Sequence, residues 1–125
     1  AHHPTEIKVT LKGMRESISQ RIIAVFQPHL YSRTNEFHEA FGTSFFQADC
    51  LIVTPIYPAR EKPIEGVTGK LIADSAIQSG HRNVHYAKTN EEILPLIRSV
   101  ARKGDLVITM GAGNIYLFGE KLLEK

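Results

Sequence analysis

The chain has 125 residues, of which 42% are hydrophobic and 22% charged, enough for one domain with a core of its own. Fifteen basic and 13 acidic residues leave a net charge of +2 without a basic stripe, and no apolar stretch approaches the ~18 residues of a membrane-spanning helix. We therefore expect a cytoplasmic protein that binds neither nucleic acid nor membrane, and its single cysteine excludes an internal disulfide.

The first predicted element is a helix that begins at Pro4. Proline suits the first helical position because that position needs no N–H, and Glu6 suits the positive end of the helix. Its apolar surface is predicted to come from Ile7, Val9, Leu11 and Met14. In a series of strand–helix units this helix should follow a strand, so we expect the chain to be a piece of a longer protein that supplies that strand.

Four strands are predicted from short apolar runs, some of them continuous, as in strands covered on both faces. They lie at residues 21–27, 49–55, 83–88 and 105–110. Apolar residues at helical spacing predict helices between and after them. These lie at residues 33–48, 67–79, 90–103 and 115–125. Such alternation predicts an α/β fold with a mostly parallel sheet and right-handed crossovers.

Individual residues refine these elements. Phe37, Phe41 and Phe45, spaced four residues apart, predict one buried face of the second helix. Asn90 is a suitable N-cap for the fourth helix, whereas Pro95 delays or kinks that helix. In the second strand, Cys50 heads an apolar run and is predicted to be a buried, inert thiol.

The stretch "RIIAVFQPHLYSRT" begins as a buried strand and ends in polar residues. Polar residues just past a strand are where open α/β sheets bind ligands. Arg33 is suited to clamp a carboxylate with two hydrogen bonds, and His29 adds a donor. Alternatively, Ser32 or Thr34 simply caps the following helix. The residues alone leave both interpretations open.

Two other loops are weaker candidates for a ligand site. In "TMGAGNIY", Gly111 and Gly113 lie between a strand and a helix, where they form either an anion-binding loop or a tight turn. The loop at residues 56–66 carries Arg60 and Lys62, and Lys70 follows it. These side chains either bind a phosphate or are simply solvated. Neither loop is specific enough to identify a ligand.

Adjacent histidines at the start of the chain do not predict a metal site. His2 and His3 diverge on a helix, and a purification-tag remnant is the alternative interpretation. No serine–histidine–aspartate set, zinc-ligand spacing or P-loop occurs in the sequence. We therefore expect no catalytic residue and no metal site in this chain.

Four blocks of sequence resemble the C-terminal domain of alanine-adding members of the Mur ligase family. The blocks are "HHPTEI" (2–7), "VFQPHLYSRT" (25–34), "IYPAREKPIEGVTGKLI" (56–72) and "GDLVITMGAGNI" (104–115). They occur in the family's order and span nearly the whole chain. The resemblance implies that residues 1–125 are a Rossmann-like, three-layer domain cut from a three-domain enzyme. It also implies that the missing strand is the family's own, since Ala1 matches its last position.

The resemblance further implies an ATP-dependent ligase of peptidoglycan synthesis in the bacterial cytoplasm. Alanine-adding members join L-alanine to UDP-N-acetylmuramate through an acyl phosphate, with ATP and Mg²⁺. The UDP-sugar and P-loop domains are separate, so this domain alone should be inactive and bind no cofactor. Two alternatives remain, namely the related ligase that attaches a tripeptide to the same sugar nucleotide, and a stand-alone nucleotide-binding module.

Carried over position by position, the resemblance assigns His29 and Arg33 to the amino-acid substrate. It places His2 and His3 beside ATP. Weaker loop contacts are implied at Tyr57, Arg60, Gly111, Gly113 and Asn114. The sequence departs from the family pattern at two positions. Many members have arginine where this chain has Leu30, and aspartate is common where it has Asn114.

Overall fold

A computed structural model describes residues 3–17, 19–58, 60–102 and 104–111. The strands are β1 (Ile22–Gln27), β2 (Cys50–Val53), β3 (Val84–Tyr86) and β4 (Leu106–Gly111). The helices are α1 (Pro4–Ser17), α2 (Tyr31–Gly42), α3 (Lys70–Gln78) and α4 (Ile93–Val100), and a 3₁₀ turn over Asn90–Glu92 precedes α4. The strands form one sheet in the order β3-β2-β1-β4 with every pairing parallel, which confirms the predicted α/β fold.

β1 is a central strand, paired with β2 on one side and with β4 on the other. All six of its residues are buried, which explains why its apolar residues run without alternation. Ile22, Ala24 and Phe26 face a core shared with α1, α2 and α3. Ile23 and Val25 face a second core that is shared with α4. Helices thus cover both faces of the sheet, and the predicted three layers are confirmed.

Aromatic side chains pack α2 and the turn after it onto the sheet. The ring of Phe26 lies 5.1 Å from that of Phe41 and 5.2 Å from that of Phe45, measured between ring centroids. Phe37 is partly buried against the same core. The four-residue spacing therefore correctly predicted which face of this segment is buried.

The apolar face of α1 was predicted correctly except at one position. Ile7 and Leu11 are fully buried, and Met14 packs against them. Val9, in contrast, is 66% exposed. At 3.6 residues per turn, a residue two positions from Ile7 and Leu11 lies on the opposite side of the helix.

Several predicted helix boundaries were wrong. α2 begins at Tyr31 instead of residue 33 and ends at Gly42 instead of residue 48, and α3 begins at Lys70 instead of residue 67. The predicted N-cap at Asn90 is also wrong, because Thr89 is the N-cap and its N–H donates to the carboxylate of Glu92 at 2.9 Å. The helix predicted at residues 115–125 lies outside the described residues.

Pro95 neither breaks nor kinks a helix interior. It is the third residue of α4, within the first turn, where the N–H of a residue has no partner in the helix. The 3₁₀ turn before it carries the chain into α4, so the prediction that the helix start is delayed was correct.

Cys50 is buried at the start of β2, as predicted. Burial raises the pKa of its thiol to about 11, so the reactive thiolate is scarce at neutral pH, which supports the prediction of an unreactive thiol. In the part of the chain that the structure describes, no helix is both long enough and apolar enough to span a bilayer.

Candidate functional site

The strand order reverses direction at β1. The chain runs from β1 to β2 and β3 on one side and then returns to place β4 on the other side of β1. In open α/β sheets, ligands bind at the carboxyl ends of the strands where the order reverses. The adjacent carboxyl ends of β1 and β4 therefore mark the candidate site.

Gly111 ends β4 in close contact with the end of β1. Its φ is +111°, and a Cβ atom at this position would lie 2.1 Å from the backbone oxygen of Gln27. Only glycine fits both the conformation and the space. The side-chain oxygen of Gln27 is buried here and has no hydrogen-bond partner among the described residues. Two further predicted residues of the glycine loop, Gly113 and Asn114, lie outside the described residues.

The loops that follow β1 and β2 are joined by backbone hydrogen bonds. The N–H of Leu30 donates to the oxygen of Tyr57 at 2.9 Å, and the N–H of Tyr57 donates to the oxygen of Pro28 at 2.8 Å. These bonds make a parallel bridge between His29 and Tyr57, whose rings stack with centroids 6.0 Å apart. Two residues predicted from separate loops thus belong to one surface.

The start of α2 contradicts the predicted capping by Ser32 or Thr34. Leu30 is at the N-cap position and its apolar side chain makes no cap. Ser32 is the second residue of the helix, and the hydroxyl of Thr34 donates to the oxygen of Leu30 at 2.9 Å. Both side chains lie inside the first turn, too late in the helix to cap it. Leu30 also has a φ of +69°, a region that residues with a side chain rarely adopt.

The cap of α2 comes from the loop after β2. One carboxylate oxygen of Glu61 accepts the N–H of Ser32 at 3.0 Å, and the other accepts the Ser32 hydroxyl. The pKa of Glu61 is lowered, first by the bond from the Ser32 hydroxyl, then by its N–H and the N–H of Tyr31, and also by the charge of His29. Sequence reasoning missed Glu61, because 29 residues separate it from Ser32 and the loop showed only a cluster of charges.

Arg33 follows directly in the first turn of α2. It is partly exposed, and it forms no ion pair or hydrogen bond with any other described residue. Its guanidinium group is therefore available to an external anion. Arg60, one residue before Glu61, is exposed at the same edge of the sheet.

His3 lies just before α1 and next to α2. Its Nδ1 accepts the N–H of Thr5 at 3.3 Å, and its ring lies 6.3 Å from that of Phe37. Phe37 is four residues after Arg33, so both lie on one side of α2. His3 and Arg33, predicted to bind different ligands, therefore flank the same part of one helix. His2 is outside the described residues.

The chemistry available at this edge is anion binding. It presents the guanidinium groups of Arg33 and Arg60 and the imidazole rings of His3 and His29. Within residues 3–17, 19–58, 60–102 and 104–111, no group of three or more histidine, cysteine or acidic side chains is arranged to hold a metal ion.

Two cavities away from this edge are lined by none of the predicted site residues. One of about 410 Å³ is lined by Tyr86 and Leu96 beside α4. Another of about 370 Å³ lies between α2 and α3, where His38 Nδ1 and the hydroxyl of Ser75 are 2.8 Å apart. Neither of these two cavities coincides with the candidate site.

Comparison with known proteins gives a family and a set of close relatives. The family model described as "Mur ligase, glutamate ligase domain" matches residues 1–113. The UDP-N-acetylmuramate–L-alanine ligase of Syntrophotalea carbinolica is 49% identical over 123 residues, which is 98% of this chain. The enzyme of the same name from Salinibacter ruber is 46% identical over 125 residues, or 99% of this chain. The chain spans only 27% and 26% of these two relatives.

A solved structure supports the same fold. The murein peptide ligase Mpl of Psychrobacter arcticus matches 99% of this chain with a TM-score of 0.75, and the match covers 25% of that protein. Sequence identity over the match is 22%, so this likeness shows a shared fold and nothing finer.

Proposed function

The chain belongs to the Mur ligase family, and from this premise we propose that it is the C-terminal domain of a ligase that joins L-alanine to UDP-N-acetylmuramate in peptidoglycan synthesis. The observation that carries the proposal is the 49% and 46% identity to L-alanine ligases over almost the whole chain. The tripeptide-attaching ligase is the alternative. It is favoured less because the two relatives that match almost the whole chain at 49% and 46% identity are both named as L-alanine ligases.

We propose that the remaining three-quarters of the enzyme holds the UDP-sugar and the P-loop. The size of this remainder comes from the chain's share of its relatives, which is 27% in the Syntrophotalea enzyme, and its contents are those that the resemblance implies. ATP and Mg²⁺ would act there, in the bacterial cytoplasm. The described residues offer no cluster suited to Mg²⁺, so we propose no metal ligand among them.

Arg33 is our candidate for binding the alanine carboxylate, with His29 assisting. A guanidinium group matches a carboxylate with two parallel hydrogen bonds, and no other described residue competes for Arg33. His29 is held against Tyr57 on the same surface by the bridge between their loops. The arrangement suits a small zwitterion whose carboxylate is fixed and whose amine is left to react.

The other predicted residues are proposed either as contacts of the nucleotide or as weaker contacts made by the loops at this edge of the sheet. His2 and His3 are proposed for the ATP side, as the resemblance implies, and the ring of His3 lies 6.3 Å from that of Phe37 in α2. Tyr57, Arg60 and Gly111 line the same edge and are proposed as weaker contacts. Gly113 and Asn114 keep the roles implied by the resemblance, outside the described residues.

The proposed contribution of this domain to the reaction is orientation. An unactivated carboxylate is a poor acyl donor, so the ligase first phosphorylates it. The alanine amine then attacks the acyl carbon, and phosphate leaves. Fixing the alanine carboxylate on Arg33 would direct the amine at that carbon, and closure of the domain would exclude water from the acyl phosphate.

Phosphate release from the whole enzyme tests the proposal. The assay contains ATP, Mg²⁺ and UDP-N-acetylmuramate, with L-alanine or the tripeptide L-alanyl-γ-D-glutamyl-meso-diaminopimelate added in turn. We expect release that depends on L-alanine. Release with the tripeptide alone would assign the protein to the alternative branch of the family.

Binding of nucleotide by this chain alone tests the stand-alone module. A domain that needs its partner domains should bind ATP weakly or not at all in calorimetry. Tight binding by the isolated 125-residue chain would favour an independent nucleotide-binding module instead.

A further inference from the structure

Helix α2 starts without a capping side chain of its own. The first four N–H groups of any helix lack partners within it, and a polar side chain at the N-cap commonly accepts one or two of them. Here the N-cap residue is Leu30, which has no polar side chain and makes no cap. Some other group must therefore satisfy the start of the helix.

Glu61 fulfils this role from a different loop. Its carboxylate accepts the N–H and the hydroxyl of Ser32, and the N–H of Tyr31 also contributes to lowering its pKa. An ionised carboxylate is favoured at this position because the N-terminal end of a helix carries partial positive charge. The loop after β2 thus completes the first turn of α2.

Two sets of hydrogen bonds connect the loop after β1 and the start of α2 to the loop after β2. The first is the pair of backbone bonds between residues 28–30 and Tyr57, and the second is the bond from Ser32 to Glu61. A turn closed by the N–H of Glu61 on the oxygen of Pro58, at 2.8 Å, connects them on the loop side. His29 lies within the segment that the first set of bonds holds, and Arg33 is the residue directly after Ser32 in the second.

We propose that Glu61 is a positioning residue of the amino-acid site. By capping α2 from the opposite loop, it fixes the start of the helix from which Arg33 extends and holds the loop against His29. The helix N-terminus is then already occupied by a carboxylate, so the substrate carboxylate binds the Arg33 side chain and not the helix N–H groups. This inference rests on the proposed function.

Steady-state kinetics of the whole ligase test this role. Glu61→Ala should raise the KM for L-alanine about 3- to 20-fold, the range expected for loss of one helix cap. The kcat and the KM for ATP should change less than about twofold, because the alanine site alone is misplaced. Glu61→Gln should fall between wild type and Glu61→Ala, since an amide oxygen still accepts one N–H without the charge.

Glu65→Ala is the matched control. Glu65 lies in the same loop and is exposed, and it forms no hydrogen bond or ion pair with the residues that the structure describes. Removing its charge should leave both KM values unchanged. An equal rise in the KM for L-alanine with Glu65→Ala would mean that the overall negative charge of the loop matters and not the cap made by Glu61, which would overturn the proposal.

Hydrogen exchange gives a readout that does not depend on activity. In Glu61→Ala, a peptide covering residues 28–34 should exchange faster, while a peptide from α3 should not change. Unchanged exchange at residues 28–34 would show that Glu61 does not hold the start of α2 and would overturn the proposal. Faster exchange with an unchanged KM for L-alanine, in an enzyme that uses L-alanine, would equally overturn the positioning role.

Failure of the proposed function is distinguishable from failure of this inference. If the wild-type enzyme uses only the tripeptide, the assignment to L-alanine fails. The KM for the tripeptide is then compared between Glu61→Ala and Glu65→Ala. A rise in Glu61→Ala alone supports the role of Glu61, and no rise or an equal rise in both overturns it.

Discussion

At the scale of single residues, Arg33 is the side chain on which alanine binding should depend most. Arg33→Ala is expected to raise the KM for L-alanine about 10- to 100-fold, because loss of a charge-assisted contact to a carboxylate costs about 1.5–3 kcal/mol. Arg33→Lys should recover only part of this, since an ammonium group cannot make the two parallel bonds. The measurement is phosphate release by the whole ligase over a range of L-alanine concentrations.

Arg98→Ala is the control for charge removal. Arg98 is exposed near the end of α4, which packs on the opposite face of the sheet from α2. It should leave the KM for L-alanine unchanged. An unchanged value for Arg33→Ala as well would remove Arg33 from the site.

His3 has two separable roles that a pair of variants can distinguish. Its Nδ1 accepts a backbone N–H at the start of α1, which an asparagine side chain can also do. If the imidazole ring itself contacts ATP, His3→Asn should raise the KM for ATP several-fold. It should leave the midpoint of urea unfolding nearly unchanged. His3→Ala should affect both quantities, and a KM for ATP unchanged in both variants would leave only the capping role.

At the scale of elements, two adjacent phenylalanines after α2 have opposite environments. Phe45 is fully buried against Phe26, whereas Phe46 is 50% exposed. Phe45→Ala should lower the free energy of unfolding by about 3–5 kcal/mol, through lost burial and the cavity left behind. Phe46→Ala should cost less than about 1 kcal/mol. Urea unfolding of both variants tests this, and equal losses would contradict the packing.

Two glycines test how closely α2 and α3 approach. A Cβ atom on Gly42 would lie 2.6 Å from the Cβ of Ser75, while one on Gly13 in α1 would meet nothing within 4 Å. Gly42→Ala should therefore destabilise the fold by about 1–3 kcal/mol through overpacking. Gly13→Ala should stabilise it by about 0.5–1 kcal/mol, because alanine favours a helix more than glycine does. Thermal unfolding should shift in opposite directions for the two variants.

Helix boundaries show where sequence reasoning reached its limit. Signals for starting a helix are read from residues a few positions apart, and "HLYSRT" offered Ser32 and Thr34. The actual cap, Glu61, comes from the next loop and is brought close only by the pairing of β1 with β2. The start of α3, at Lys70 and not at residue 67, was also misjudged. Gly69, just before it, packs so tightly that a Cβ would lie 2.4 Å from the oxygen of Thr54.

At the scale of the whole molecule, the local patterns predicted the strands and the parallel sheet. Continuous apolar runs such as Ile22–Phe26 need cover on both faces, and this requirement is visible in the sequence. The position of β4 on the far side of β1 is not visible in the sequence, because it depends on which helix packs on which face of the sheet. His29 and Tyr57 were each expected at the ligand edge, but the bridge between them follows from the pairing of two strands.

Acid should weaken the fold partly through Asp49, which joins α1 to the sheet. Burial raises the pKa of its carboxyl, but the N–H of Ile22 at 2.7 Å and the guanidinium of Arg15 together hold it below its ordinary value of 3.8. A lowered folded-state pKa stabilises the protein above the unfolded value, and that stabilisation is lost as the pH falls through the folded value.

The urea midpoint should therefore fall less steeply in Asp49→Asn than in wild type as the pH drops from about 5 to about 2. The side chain is 43% exposed, so solvent screening limits the difference to below about 1 kcal/mol. Asp74→Asn, which alters an exposed carboxylate on α3, should follow the wild-type curve. A wild-type slope in Asp49→Asn would contradict the assignment.

The buried thiol of Cys50 allows opening of the sheet to be measured without an added probe residue. Cys50 pairs with Ile23 at the centre of the sheet, and a pKa of about 11 leaves almost no thiolate to react in the folded state. A thiol reagent can therefore label the chain only during the moments when the sheet opens, and the labelling rate measures how often that happens. Since the chain has one cysteine, no second thiol in it obscures the signal. Slower labelling in the presence of substrates would show that ligand binding at the edge of the sheet stabilises its centre.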